Sequence, residues 1–284
     1  MARPIGARLT DILGALERGA DGIYSTSILP GTDQADEIRL REAVAARGHA
    51  DILAEISRHH SIPVMDRELR AFLAAVQLGG IVIDVGGGWG WHWRELAETR
   101  ADLSVVIVDF VRANLRLAAR VLGALVDTQI ALVHADATQL PFPAESFDAY
   151  WSVQALQHVS RFRDAVAEAH RVLRRRGAFA CYSLNRARII EVFYRLMGRP
   201  YHIAGSRPGS FYLARASAAQ TAVVHEIFGA SVASRYTEIL FHPELRLFSG
   251  QAASPVGALD ARLSNGLPVF AAVARQRSYH VRKL

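Results

Sequence analysis

With 284 residues, 51% of them hydrophobic and 21% charged, the chain can bury a full core, which excludes intrinsic disorder. Its one cysteine, Cys181, excludes a disulfide scaffold and a multi-cysteine metal site, so no metal is expected. The formal net charge of +6 permits a polyanionic partner. Only Arg174–Arg176 and the tail (Arg275, Arg277, Arg282, Lys283) cluster, however, and the former read as a solvated helix end ahead of Gly177.

No apolar run reaches the roughly 18 residues of a membrane span, and no membrane partner is expected. The N-terminus carries acidic residues and lacks an apolar h-region, so it does not read as a secretory signal. The default expectation is cytoplasmic.

Residues 1–78 are mostly helical in pattern, with breaks at Ala20–Gly22 and Ile28–Thr32. A helix is expected from Asp36 to Arg58, and another from the Asp66 cap through Phe72 and Val76. This helical extension has no sheet of its own; it either packs as a lid or extends the core.

From residue 79 strands and helices alternate. Ile81–Val85 is an apolar strand interrupted only by Asp84, and four of the next five residues are glycine. A helical pattern follows from about Trp91 to Thr99. Strands are expected at Leu103–Val108, Gln129–Val133, Phe147–Val153 and Ala178–Leu184, separated by helices. An irregular stretch, Asn185–Arg215, precedes a helix at Ala218–Phe228 and a strand at Ser231–Leu240. Leu267–Arg275, behind Asn265-Gly266, reads as a seventh strand antiparallel to the sixth. Strands buried on both faces imply a three-layer, Rossmann-like α/β fold with a doubly wound sheet of seven strands, the last reversed.

A strand, glycine turn and helix start place backbone N–H groups at a sheet edge, where small cofactors bind. The nicotinamide fingerprint Gly-x-Gly-x-x-Gly fails here: from Gly86 the third position is Trp91, and from Gly88 it is Trp93. Asp84, Gly86, Gly88 and Gly90 instead make Asp-x-Gly-x-Gly-x-Gly. This resembles the first motif of class I S-adenosylmethionine-dependent methyltransferases. Asp109 lies 21 residues after Gly88, directly behind an apolar strand. His134-Ala-Asp136-Ala-Thr-Gln-Leu-Pro-Phe resembles the family's segment after strand three. Phe147-Asp-Ala-Tyr-Trp-Ser-Val-Gln-Ala-Leu-Gln-His158 resembles its strand-four motif.

The resemblance covers residues 79–275 and implies S-adenosylmethionine as cofactor, with S-adenosylhomocysteine as product. It implies that Asp84 contacts loop N–H groups or the cofactor's amino group, and that Asp109, followed by Phe110, binds both ribose hydroxyls; an Asp cap for the next helix is the plainer reading of Asp109. Asp136 and the Ala137 backbone then meet adenine, and Val153 and Gln154 the methionine part. Gln157 replaces the first histidine of the usual Leu-His-His; His158, keeping the second, is either a general base or a tie between loop and sheet.

Trp89, Trp91, His92 and Trp93 depart from the family's small residues. They either pack under the N-terminal segment or set an aromatic beside the sulfonium. Trp91, His92 and Gln157 are accordingly candidate substrate contacts. In 185–215, read as a substrate-side insert, Tyr194, Tyr201 and Arg207 are further candidates, among His202, Phe211 and Tyr212; a solvated loop is the alternative.

The expected organisation is a helical N-terminal extension over 1–78 and a methyltransferase domain over 79–284. The expected reaction is methyl transfer to O, N or C of a small molecule, such as a natural product or an anionic metabolite. The alternatives are a nucleic-acid methyltransferase or a non-catalytic S-adenosylmethionine-binding protein. An amino-methylating [Asp/Asn/Ser]-Pro-Pro-aromatic signature is missing after strand four, where Ser152-Val-Gln-Ala stands, and Cys181 is mid-strand, so nucleic acid is disfavoured. A homodimer is left open.

Overall fold

The computed structural model describes residues 7–26, 38–39, 42–43, 61–201, 215–240, 255–264 and 267–284. The helix expected from Asp36 to Arg58 lies outside them, apart from 38–39 and 42–43.

Strands β3 (Ile81–Val85), β4 (Ser104–Asp109), β5 (Ile130–His134), β6 (Phe147–Val153) and β7 (Leu173–Leu184) run parallel. β9 (Gln276–Arg282) inserts antiparallel between β7 and β8 (Ala233–Thr237). Two short strands, β1 (Glu17–Arg18) and β2 (Tyr24–Ser25), form a hairpin, and β2 pairs with β5. The sheet thus has nine strands in the order β1-β2-β5-β4-β3-β6-β7-β9-β8. The expected seven-strand sheet is its body. The N-terminal segment, expected to bring no strand, adds two to one edge; four residues without alternation carry no strand signal.

The apolar runs of β3–β7 face helices on both sides. Ile81, Ile83, Val85, Val106 and Val108 pack with α1 (Ala7–Leu13), α5 (Phe162–Val172) and α7 (Ala218–Phe228). Val82, Val105, Ile107, Ala149 and Trp151 pack on the other face. There they meet α2 (Ser61–Ala74), the short α3 (Leu96–Thr99) and α4 (Arg112–Leu122). Alternate side chains of one strand point to opposite faces, so a strand covered on both sides has to be apolar throughout.

Besides Asp66, which lies inside α2 rather than capping it, three expectations need correction. The last strand is not Leu267–Arg275: Pro268 opens a 3-10 segment, Pro268–Ala272, in which Val269 is 71% exposed. β9 follows it and is the more polar stretch. Some of its polar groups are met inside the sheet, as where Thr237 Oγ1 donates to Gln276 Oε1 at 3.3 Å, while Gln276 Nε2 has no partner among the described residues. Secondly, Arg174–Arg176 are not a helix end. α5 stops at Val172, and the arginines open β7 beside a register shift at Phe147 and Ala149. Thirdly, part of the irregular stretch is helical: α6 spans Arg188–Leu196. α8 covers Pro255–Leu263.

Asp148 ties the amino-terminal edge of the sheet together. Its carboxylate accepts from Ile81 N (2.8 Å), Gln77 Nε2 (2.9 Å), Arg8 Nη2 (2.6 Å) and Arg174 Nη1 (3.3 Å). Removing it leaves a buried N–H and two guanidinium groups without this acceptor. Asp148→Ala should lower the unfolding free energy by about 3 kcal/mol in urea titration. A loss below about 0.5 kcal/mol, the range of ordinary surface changes, would show that water replaces the carboxylate.

Candidate functional site

The carboxyl ends of β3, β4, β5 and β6 are neighbours, and the sequence-expected cofactor residues gather there. The glycine turn after β3 is fastened to the end of β4. Gly86 N and Gly87 N donate to Val108 O at 2.7 and 3.3 Å, and Gly88 N donates to Asp109 Oδ2 at 2.9 Å. Gly86, Gly88 and Gly90 have φ of +74°, +56° and +70°, a region other residues adopt only under strain.

These glycines differ in what they face. A Cβ at Gly86 would stand 2.1 Å from Ala155 Cβ, and one at Gly90 would stand 2.5 Å from Leu122 Cδ1. At Gly88 it would meet nothing within 4 Å. Gly86 and Gly90 are therefore small because protein is close, whereas Gly88 borders open space.

Asp84 is wholly buried. Its Oδ2 accepts from Trp93 Nε1 at 2.7 Å, and its Oδ1 has no hydrogen-bond partner among the described residues. Burial pushes the carboxyl up to about 7; the Trp93 N–H opposes this and the Asp109 charge adds to it. Trp93 itself is core, packed with Met65, Leu69 and Phe72 of α2. Trp91 lies under the Arg94 guanidinium (4.5 Å), which is bidentate to Asp66 at 3.0 and 2.5 Å. His92 stands edge-on to Trp151, and burial pushes it down to about 4, so it is uncharged at neutral pH. Trp93 and Trp91 thus hold the turn against α2 and Arg94, in line with the packing reading; Trp89 is half-buried.

Asp109 also serves the helix behind it. Its Oδ1 accepts from Val111 N (2.8 Å) and Asn114 Nδ2 (3.3 Å), so the capping geometry and the loop contact coexist. Phe110 is half-buried, and its carbonyl lies 3.0 Å from His134 Nε2. Asp136 Oδ1 accepts from Thr138 N and Oγ1 at 2.8 and 2.9 Å, and Arg161 Nη2 is 3.6 Å from its Oδ2. Ala137 is half-buried against the core. Val153 ends β6 and Gln154 follows it, both half-buried. Gln154 has φ +50°, and its N–H donates to Tyr182 O at 2.7 Å, while Ser152 Oγ donates to Val85 O at 2.8 Å. His158 closes the 3-10 turn Leu156–His158, its N–H donating to Ala155 O at 2.9 Å.

Other substrate candidates are placed elsewhere. Gln157 is buried; its Oε1 accepts from Leu184 N at 2.8 Å and its carbonyl from Gln220 Nε2 at 3.2 Å, so it ties the turn to β7. Tyr194 is buried against Tyr201, with the Arg215 guanidinium 5.1 and 4.1 Å from the two rings. The Tyr201 hydroxyl accepts from Ala187 N at 2.8 Å, and burial pushes it up to about 12. These side chains hold the chain where it leaves β7. Arg207, His202, Phe211 and Tyr212 lie outside the described residues.

The bond from Trp93 to Asp84 and the Arg161–Asp136 pair were not legible beforehand, since their separations match neither the strand nor the helix period. A separate groove of about 360 Å³ lies between α2 and the β7–β9 face. Glu68, Tyr182, Arg235 and His280 line it, and it contains none of the expected site residues.

Residues 83–181 match the family described as a methyltransferase domain. Residues 83–181 therefore carry a methyltransferase domain, in the fold of the class I S-adenosylmethionine-dependent methyltransferases. The chain is 36% identical over 113 residues to the sterol methyltransferase-like 1 of Botryococcus braunii, covering 39% of this chain and 29% of that protein. It is 35% identical over 127 residues to the demethylmenaquinone methyltransferase of Roseiflexus sp. (strain RS-1), covering 44% of this chain and 52% of that one. The chain therefore spans about half or less of these two relatives. Among solved structures, the complex between the Haloferax volcanii Trm112 methyltransferase activator and a putative methyltransferase matches with a TM-score of 0.54. Identity there is 18%, covering 86% of this chain and 97% of that one, which speaks for the fold. The cofactor of the family is S-adenosylmethionine.

The buried acid at the methyltransferase turn has a measurable signature. Folded Asp84 keeps a proton up to about 7 that an unfolded carboxyl releases near 3.8, so its contribution to stability falls as pH rises between those values. Asp84→Asn, which cannot ionise, should gain stability relative to wild type across that window in urea unfolding. A difference independent of pH would place Asp84 ionised in the folded protein.

Proposed function

We propose that the chain is a methyltransferase that moves a methyl group from S-adenosylmethionine to O, N or C of a small molecule, with residues 79–275 as its catalytic domain. One observation carries the reading: Gly88, held in a left-handed conformation, borders open space at the carboxyl edge of the sheet, while its N–H is fixed by Asp109. A nucleoside ligand can approach the backbone there without meeting a side chain.

The donor set suits that cofactor. Its hydroxyls and amino groups need acceptors, and Asp84, Asp109 and Asp136 end three neighbouring strands or the turns behind them. Asp84 Oδ1 is a buried acceptor with no partner among the described residues, fitted to an ammonium or to a water beside it. Asp109 accepts from Val111 N and Asn114 Nδ2 through Oδ1 and from Gly88 N through Oδ2, and its carboxylate is the acceptor we assign to the ribose hydroxyls. Phe110 and Ala137 flank the adenine position, and Val153 and Gln154 flank the methionine position.

When bound, the cofactor supplies a sulfonium methyl that is already electrophilic. The chain's own task is to hold the acceptor in line at about 3–3.5 Å and, where the acceptor carries a proton, to remove it. His158 is the base we assign, since it follows β6 at the same sheet edge and carries an imidazole, a side chain able to take up a proton. We assign the acceptor to the side of the turn that carries Trp91 and His92. We read residues 1–78 as an extension, of which α1 and the β1–β2 hairpin are anchored to the sheet.

Calorimetry with S-adenosylhomocysteine tests the cofactor role. Asp109→Ala should weaken binding at least about tenfold, the worth of one charge-assisted hydrogen bond. Unchanged affinity in a folded variant would remove Asp109 from the site.

For the base, His158→Ala should depress methyl transfer by about a hundredfold while S-adenosylhomocysteine affinity stays near wild type. If the variant fails to fold, or transfers at the wild-type rate, His158 is a tie between loop and sheet.

A further inference from the structure

The apolar face of α6 is not explained by the fold. α6 leaves β7 after Ala187 and buries only Ile190 and Tyr194, which pack with Ala187 and the partly buried Tyr201. Its remaining apolar side chains, Ile189, Val192, Phe193 and Leu196, with Met197 just beyond, are exposed; Leu196 reaches 77%. They recur at i, i+3, i+4, i+7 and i+8, the spacing of one helix face, and span an arc of roughly 140° at 3.6 residues per turn. An isolated exposed leucine is ordinary; five large apolar side chains on one arc are not.

The flanks of this face carry charge of one sign. Arg186, Arg188, Arg195 and Arg199 lie within the helix and its immediate ends, against one carboxylate, Glu191. Glu191 is half-buried and paired, 3.1 Å from Arg186 and 3.9 Å from Arg195. Arg188 and Arg195 project beside the apolar arc, at its border with the polar side. The 3-10 segment Pro268–Ala272 packs against α6 and adds Val269, 71% exposed. An apolar stripe bordered by arginines fits a surface that is apolar inside and anionic at its rim.

We propose that α6 docks this chain on an anionic lipid bilayer, with Ile189, Val192, Phe193, Leu196 and Met197 entering the acyl boundary and the bordering arginines meeting headgroup phosphates. The helix lies in the interface plane; it is far too short to span. The lack of a long apolar run, which excludes a span, does not bear on such a contact. α6 leaves the sheet at the carboxyl end of β7, the edge at which the glycine turn also lies, so docking turns that edge toward the membrane. The proposal stands whether or not the domain transfers methyl groups.

The test is flotation of the full chain with vesicles of phosphatidylcholine alone or mixed with phosphatidylglycerol. The expected result is binding to the mixed vesicles that weakens with added salt. Val192→Asp with Leu196→Asp should lower that binding at least about tenfold, and Arg188→Gln with Arg195→Gln should lower it and flatten the salt dependence. Melting temperature and S-adenosylhomocysteine affinity, measured on each variant, should match wild type. Four outcomes overturn the proposal. The wild type ignores anionic vesicles. The variants bind as well as wild type. Sedimentation shows a dimer that the Asp variants dissolve, with no vesicle binding, making a second copy the occupant. The Asp variants melt far below wild type, with no vesicle binding by either, which means that the chain itself covers the face.

Discussion

The carboxyl edge of the sheet depends on how a backbone with no side chains is held still. The turn from Gly86 to Gly90 passes between β4 and β6 and cannot carry a Cβ at Gly86, because Ala155 occupies the space. Glycine loses more freedom on folding than any other residue, so the turn needs compensating bonds. Two N–H groups converge on Val108 O and a third on Asp109. The same Asp109 accepts from the start of α4, and Trp93 pins the Asp84 side chain beneath. The turn, the first turn of α4 and the end of β3 therefore form one hydrogen-bonded unit. Of the glycines in this turn, Gly88 is the one whose Cβ position meets nothing within 4 Å among the described residues.

The unit leaves Asp84 in an expensive position. A carboxylate with one oxygen on an indole N–H and the other without a partner is poorly compensated for burial, and it takes up a proton instead. Such a residue lowers stability where it is ionised, and strain of this kind tends to mark functional sites. A ligand that offers a positive group or a water to Oδ1 would relieve it.

Much of this was legible in the sequence because the physics is local. Strands covered on both faces must be apolar throughout, so β3 to β7 announced themselves as runs, and the glycine spacing with Asp109 and Asp136 pointed to their ends as the candidate site. The failures have equally physical reasons. β9 is held by backbone pairing to a strand on each side rather than by apolar alternation, while the apolar run before it begins with Pro268 in a 3-10 turn. The hairpin of β1 and β2 is too short to leave a pattern. Gln157 and Tyr194 looked like substrate groups because polar and aromatic residues near a site invite that reading. Burial shows them holding the loop after β6 and the chain after β7. Trp93 joins Asp84 across nine positions, a distance that no periodicity encodes.

The central claim is that the space in front of Gly88 is the cofactor site. A crystal structure of the chain with S-adenosylhomocysteine tests it most directly. The ligand should lie against Gly88, with its ribose hydroxyls within about 3.2 Å of Asp109 and its adenine beside Asp136 and Ala137. Ligand density in the groove between Glu68, Tyr182 and Arg235, with the glycine turn unchanged and bare, would contradict the account.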